Sequence, residues 1–294
     1  MSCAVYGFED DHRQVTRLAA ALGVSVGAID LHTFPDGEVL PRVSAPSAGT
    51  AILYRSLHHP NARLVSLLLA ADACRRAGAS RLVLVAPYLC YLRQDAVFAP
   101  GQPLSRDVVC GWLGRTFDKV VTVQAHLHRT RQLSDVFGIP CDNVSVAGAL
   151  AELVVGDRKT LVVAPDEEGL PLARAAAEHV GGEAAAFRKR RRGDRDVVLE
   201  LPADAAIGGR DVLLVDDVCS TGGTLEAAIR LLRAAGAVRV DVAVAHALFD
   251  AEAGLRLAAA GADRIISSES IPHPTNALML DGVLAAVLRD EVRP

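Results

Sequence analysis

Residues 211–224 read DVLLVDDVCSTGGT, and this run sets the reading of the whole chain. Val212, Leu213, Leu214 and Val215 predict a short buried strand, with Asp216 and Asp217 at its carboxyl end. Ser220, Thr221, Gly222, Gly223 and Thr224 then make a loop of small polar residues and glycine, opening a helix expected over 225–235. In an open α/β sheet, ligands bind outside the carboxyl ends of the strands. A glycine loop running into a helix start offers backbone N–H groups to a phosphate. The run is neither the dinucleotide fingerprint nor the ATP P-loop, which need G-x-G-x-x-G and Gly-Lys-Ser/Thr. Two acids followed by Thr-Gly-Gly-Thr suit a ligand with a sugar and a phosphate: the acids take the hydroxyls and the loop takes the phosphate. The alternative is a plain strand-turn-helix corner, because Asp-Asp pairs end many strands.

Working outward, the same alternation of short apolar runs and helical patterns fills the chain, the mark of α/β architecture. In the first half, 51–54, 81–86 and 119–123 read as strands, with helices over 61–77 and 104–115. In the second half, 160–164, 184–187, 211–215, 238–245 and 264–267 read as strands, with helices over 170–180, 225–235 and 251–260. The expectation is two tandem doubly wound domains, 1–144 and 145–294, with the seam after the Phe-Gly-Ile-Pro turn. A length of 294 residues suits two domains at ~100–200 residues each.

Composition narrows the function classes. Hydrophobic residues are 51% and charged residues 22%, with aromatics at only 4%, so the core falls to Ala, Val and Leu. A net charge of −4 gives no general reason to bind nucleic acid or an anionic membrane. No apolar run approaches the ~20 residues of a membrane span, and the amino terminus lacks the basic start and apolar stretch of a secretory signal. The six cysteines (Cys3, Cys74, Cys90, Cys110, Cys141, Cys219) contain no C-x-x-C pair. Buried free thiols in a cytoplasmic protein are expected. Alkylation of Cys219, which lies in the phosphate loop on this reading, is expected to inhibit.

Four further loops fall where a large anionic ligand could be gripped. FPDGE, residues 34–38, is a tight turn joining two strands, and Asp-Gly by itself is a hairpin signal. PYLCYLRQD, residues 87–95, directly follows a strand; Arg93 and Gln94 could bind phosphate and purine, or lie in a solvated loop. VTVQAHLH, residues 121–128, places His126 just past a strand, where a lone histidine is often structural. VVAPDEEG, residues 162–169, places Asp166 in the equivalent position of the other domain. His126 and Asp166 suit a Mg²⁺ ion held through few protein ligands, the rest being water and phosphate oxygens.

Taken in order, Phe-x-Asp-Gly-Glu, Pro-Tyr-x-x-Tyr-x-Arg-Gln-Asp, Thr-Val-x-x-His, Pro-Asp-x-x-Gly, Lys-x-Arg and Asp-Asp-x-x-Ser-Thr-Gly-Gly-Thr resemble the ribose-phosphate diphosphokinase family over essentially the whole chain. The closing SIPHPTNA, residues 270–277, and Ser220 are most similar to its archaeal-type branch. The resemblance implies a pair of phosphoribosyltransferase-like domains with the active site between them, in a homodimer or higher homo-oligomer. It implies that Phe34, Asp36, Gly37 and Glu38 reach the adenine of ATP on a neighbouring subunit, and that Arg93, Gln94 and His126 contact the nucleotide. His126 and Asp166 would organise Mg²⁺-ATP. Asp216 and Asp217, with Ser220, Thr221, Gly222, Gly223 and Thr224, would hold ribose 5-phosphate. The basic run RKRRRGDR, residues 188–195, usually a solvated loop, would be a mobile arm whose Lys189 and Arg191 are catalytic. The implied reaction is in-line attack of the pentose 1-hydroxyl on the β-phosphorus of ATP, with AMP leaving and those two cations neutralising the transition state.

Three positions depart from the commonest family pattern. Gln124 stands where many members have Asp, Glu168 replaces the first of two glycines after Asp166, and Ser220 replaces an Asp. An added carboxylate at Glu168 would repel a phosphate, whereas serine at 220 removes a negative charge beside one. Three rival readings remain. A phosphoribosyltransferase would consume the product, but it needs no tandem domain. A non-catalytic regulatory paralogue would be expected to lose Lys189 or Arg191. A nucleic-acid-binding regulator using the basic run sits poorly with an acidic chain short of aromatics.

Overall fold

The computed structural model describes residues 2–44, 49–127, 132–154, 160–192, 196–201 and 205–292; for residues 2, 189–192 and 196–198 it describes the backbone alone. The chain divides into two compact units, Met1–Val144 with Leu280–Pro294, and Ser145–Met279.

The first unit runs β1 (Ser2–Phe8), α1 (His12–Leu22), β2 (Ser25–Thr33), β3 (Val39–Val43), β4 (Gly49–Tyr54), α2 (Pro60–Arg76), β5 (Ala79–Ala86), α3 (Ser105–Thr116), β6 (Lys119–Val123), α4 (Leu133–Phe137) and β7 (Cys141–Val144). Its sheet has the order β3-β2-β1-β4-β5-β6-β7. All pairings are parallel except the β2–β3 hairpin. The central strands read as unbroken apolar runs because helices cover both faces of a parallel sheet. Ile52, Leu53, Val83, Leu84 and Val85 are accordingly fully buried.

The second unit runs α5 (Ala147–Glu152), β8 (Leu161–Ala164), α6 (Leu170–Val180), β9 (Glu183–Ala186), β10 (Arg188–Arg192), β11 (Asp196–Glu200), β12 (Asp211–Cys219), α7 (Gly223–Ala234), β13 (Arg239–Ala247), α8 (Ala251–Ala260), β14 (Arg264–Ser268) and β15 (Asn276–Leu278). Its main sheet is parallel throughout, in the order β15-β14-β13-β12-β8-β9. Val162, Val163, Leu214, Val242 and Val244 fill its centre. Both units are therefore doubly wound. In each, strand order reverses beside the first strand, between β1 and β4 and between β8 and β12, and such a switch point is where α/β sheets bind ligands.

The end of the chain departs from the sequence division, which assigned 145–294 to the second domain. Helix α9 (Asp281–Leu288) returns to the first unit, and Asp281 accepts a hydrogen bond from Arg17 Nε at 3.2 Å. Glu291 accepts from Arg81 Nε at 2.6 Å and from Arg81 Nη2 at 3.1 Å, and lies 3.3 Å from Lys119 Nζ. These partners lie far upstream in the chain, so no local pattern announces them.

Candidate active site

The second unit builds its site at the β8/β12 switch point. β12 does not stop at Val215: it stays paired with β13 as far as Cys219, opposite Ala247, so Asp216 and Asp217 lie within the strand. The helix likewise begins earlier than expected, at Gly223, leaving Ser220, Thr221 and Gly222 as the loop and Thr224 in the first turn. Gly222 is the N-cap with φ 78°, a left-handed conformation that costs a residue with a Cβ ~1–2 kcal/mol. A Cβ placed on Gly223 would meet no atom within 4 Å, so the face of this turn is open to a ligand. First-turn N–H groups have no carbonyl a turn earlier to bond, which makes this corner an anion cradle. Arg256 of α8 fastens the loop by donating from Nη2 to the Thr221 carbonyl at 2.9 Å.

Asp166 follows β8, and its Oδ1 accepts the Gly169 N–H at 3.0 Å, which closes the turn leading into α6. Asp216 Oδ1 accepts the Asp217 N–H at 2.9 Å. Burial first, then the charges of Asp217 and Asp166, hold the Asp216 carboxyl well above the usual carboxylate range. The corresponding crevice of the first unit is electrostatically closed by its own side chains. There Arg55 donates to Asp10 and, at 2.6 Å, to Asp11, while Arg63 donates to Asp10 at 2.6 Å. One switch point thus has its acids paired with arginines, whereas in the other Asp217 and Asp166 raise the proton affinity of Asp216. The second is the one that gains from an incoming cation or hydroxyl donor.

Hard carboxylate oxygens of this kind fit Mg²⁺, and a divalent ion would relieve their mutual repulsion. Among the described residues no group of three or more His, Cys, Asp or Glu side chains forms a metal cage. Few protein ligands is the arrangement Mg²⁺ favours when phosphates supply the rest. Of the two expected metal residues, Asp166 stands in this crevice, while His126 belongs to the first unit.

The first five residues of the basic run are not a loop. Residues 188–192 form β10, which pairs antiparallel with β11 as a separate two-stranded ribbon, Lys189 opposite Leu199 and Arg191 opposite Val197. Strand alternation puts positions 189 and 191 on one face of the ribbon. The side chains of Lys189 and Arg191, and the whole of residues 193–195, lie outside the described part of the chain. At the root of the ribbon, Arg188 Nε is 3.6 Å from Glu167 Oε1.

In the first unit the FPDGE segment is a tight hairpin turn between β2 and β3. Phe34 N–H donates to the Glu38 carbonyl at 2.8 Å and Gly37 N–H to the Phe34 carbonyl at 2.9 Å. The Asp36 carboxylate accepts the Glu38 N–H at 3.1 Å, and Gly37 has φ 91°. Phe34, Asp36, Gly37 and Glu38 are all exposed on this projecting turn. Arg93 is exposed in the loop after β5, whereas the neighbouring Gln94 is held by Ser105, whose hydroxyl donates to Gln94 Oε1. His126 is half-buried after β6. Its loop is pinned where Asn143 Oδ1 accepts the Ala125 N–H at 2.8 Å and the Val144 carbonyl accepts the Gln124 N–H at 2.8 Å.

Asn143 and Arg256 are the positioning residues that sequence reading missed; both act from other elements, and only the folded register brings them to the loops. Cys219 is corrected. It ends β12 and is 2% exposed, so thiol reagents reach it poorly. Burial also pushes the Cys74, Cys90 and Cys110 thiols up to about 12, which keeps them protonated and inert.

This geometry defines a chain of two phosphoribosyltransferase-type units, one of which presents an open anion cradle beside a cluster of acids. Residues 145–276 match the phosphoribosyl transferase domain, and residues 4–115 match the N-terminal domain of ribose phosphate pyrophosphokinase. The chain is 36% identical over 263 residues to the ribose-phosphate pyrophosphokinase of Methanopyrus kandleri, covering 88% of this chain and 89% of the relative. It is 32% identical over 273 residues to that of Thermococcus kodakarensis, covering 93% and 94%. The crystal structure of phosphoribosylpyrophosphate synthetase from Mycobacterium smegmatis superposes with a TM-score of 0.84 over 98% of both chains, at 26% identity. The chain belongs to the ribose-phosphate pyrophosphokinase family. Among the described residues no helix is long and apolar enough to cross a membrane.

Proposed function

We infer that the protein is a ribose-phosphate diphosphokinase, passing the β,γ-diphosphoryl group of ATP to the 1-hydroxyl of ribose 5-phosphate and releasing AMP. The observation that carries this reading is the crevice of Asp166, Asp216 and Asp217 beside the open Gly222–Gly223 turn, in a chain whose other unit matches the N-terminal domain of this family. In this reading the first-turn N–H groups of α7 and the hydroxyls of Ser220, Thr221 and Thr224 bind the 5-phosphate. Asp216 and Asp217 bind the ribose hydroxyls and so orient the 1-hydroxyl. Arg93, Gln94 and His126 bind the nucleotide, and Phe34, Asp36, Gly37 and Glu38 reach the adenine of a second copy in a homo-oligomer.

The pentose 1-oxygen bonds to the β-phosphorus and its proton passes to solvent, while the bond to the α,β-bridging oxygen breaks and AMP leaves with that oxygen. Negative charge gathers on the leaving and non-bridging oxygens, where Lys189 and Arg191 stabilise it. Mg²⁺ held by Asp166 and His126 would, when bound, neutralise phosphate charge. With the loop on the 5-phosphate and the two acids of β12 on the ribose hydroxyls, the sugar is held still, which converts a bimolecular encounter into an oriented one. A cytoplasmic location suits substrates of this kind.

Two incubations separate this activity from that of a phosphoribosyltransferase. ATP with ribose 5-phosphate should give AMP in step with phosphoribosyl pyrophosphate. Phosphoribosyl pyrophosphate with free nucleobases should give no nucleotide. AMP formation that is absent, or independent of the sugar phosphate, would reject the reading and favour a non-catalytic paralogue.

A further inference from the structure

Three non-glycine residues among those described have a left-handed backbone: His59 with φ 50°, Tyr91 with φ 61° and Gln124 with φ 40°. They follow β4, β5 and β6, three neighbouring strands, at the carboxyl edge of the first unit's sheet. Such conformations persist only where surrounding contacts over-determine them, and they concentrate at functional sites. The loops after β5 and β6 carry Arg93, Gln94 and His126. The loop after β4 carries no residue assigned to the nucleotide, yet it is joined to the β5 loop twice. Leu57 N–H donates to the Tyr88 carbonyl at 2.9 Å, a backbone bond that side-chain changes leave in place. The Tyr91 hydroxyl donates to Asn61 Oδ1 at 2.5 Å, in the first turn of α2.

We propose that Tyr91 and Asn61 are a positioning pair that holds the loop bearing Arg93 and Gln94 in its nucleotide-binding form. The proposal rests on the assignment of those two residues to ATP. The far end of the loop is fixed where Gln94 meets Ser105 and where Arg106 N–H donates to the Gln94 carbonyl at 3.4 Å. The near end bears the strained Tyr91, whose left-handed backbone costs about as much as one hydrogen bond supplies. Leu92, between Tyr91 and Arg93, is buried at 4% exposure, so a turn at Tyr91 is carried into the placement of Arg93. Removing the hydroxyl therefore releases the end of the loop that carries the exposed arginine while leaving the sheet beneath it intact.

The test titrates the full chain separately with Mg-ATP and with ribose 5-phosphate, for the unaltered protein, Tyr91→Phe, Asn61→Ala, Asn61→Asp and the Tyr91→Phe/Asn61→Ala double variant. Tyr91→Phe and Asn61→Ala should each weaken ATP binding about five- to tenfold and leave the sugar phosphate within about twofold. The double variant should be no weaker than either single one, and Asn61→Asp, which keeps an acceptor, should recover affinity relative to Asn61→Ala. Should Tyr91→Phe fail to fold, the exposed Asn61→Ala carries the same comparison. Unchanged ATP affinity in a folded variant, or equal weakening of both ligands, overturns the pair alone if the unaltered protein binds ATP and forms AMP. An unaltered protein that does neither overturns the functional reading, and the pair with it.

Discussion

Asp216→Asn should make the unliganded protein more stable and the sugar-phosphate site worse. A carboxyl whose proton affinity is higher folded than unfolded favours folding in its protonated form. Its contribution is full below the unfolded pKa near ~4 and is lost as pH rises through the higher folded value. Once ionised, Asp216 is a charge held against burial and against Asp217 and Asp166. Asparagine keeps an Oδ1 to accept the Asp217 N–H, which lies at 2.9 Å, and removes the charge. Relief of such a site is worth ~0.5–2 kcal/mol, or about 2–4 °C in melting temperature for each kcal/mol in a chain of this size. The gain should be smallest at low pH, where the unaltered protein keeps its proton, and should grow as pH rises through the raised folded value. A hydrogen bond from a sugar hydroxyl to a charged acceptor is worth ~1.5–3 kcal/mol, so ribose 5-phosphate should bind about 10- to 100-fold more weakly. ATP measured alone should bind as before. Scanning calorimetry over this pH range, paired with titration of each substrate, reads all of these. A melting temperature that falls at neutral pH, or an equal loss for ATP and sugar, would refute the reasoning.

Other perturbations touch separate parts of the account. Lys189→Ala should lower kcat by ~10²–10³ and leave ATP affinity nearly unchanged; stopped-time AMP assays with matched nucleotide titrations decide it, and an undiminished kcat would remove the ribbon from the chemistry. Gly222→Ala meets no closer atom than Leu257 at 3.6 Å, so its cost should be the ~1–2 kcal/mol of a left-handed backbone. It should show as a lower melting temperature and a raised KM for ribose 5-phosphate. Glu291→Gln tests the returned tail: hydrogen bonds from Arg81, then its charge and that of Lys119, hold the Glu291 carboxyl below the usual range despite some burial. That stability is present above the unfolded pKa and is lost as pH falls through the folded one. Because Arg81 is half-exposed and screened, the variant should cost about 1 kcal/mol at pH 7, and the difference should fade as pH falls through the lowered folded value.

The parts of the fold legible in the sequence are those set by local pattern. Leu213 and Leu214, or Val83 and Leu84, announce buried strands because parallel sheets bury both faces. The Asp-Gly turn at residues 36–37 announces its own hairpin. Where polar side chains lie in regular structure, the pattern misleads. Asp216 and Asp217 read as the end of a strand, yet β12 continues through them because β13 offers backbone partners as far as Ala247. The arginine run reads as a loop, since charge repulsion and high polarity mask its alternation, but cross-strand pairing with 196–200 makes it a ribbon. The candidate loops could be found because their residues are adjacent in sequence. Asn143 beneath the His126 loop, Arg256 on the Thr221 carbonyl and Glu291 on Arg81 depend on register between distant elements, and no spacing rule encodes that.

The central claim is that this chain moves a diphosphoryl group, and ATP labelled at the β-phosphorus tests it most directly. With ribose 5-phosphate and Mg²⁺ present, the label should pass to the pentose while unlabelled AMP accumulates in equal amount and no ADP forms. Label found in ADP or in inorganic phosphate, with the pentose unlabelled, would contradict it.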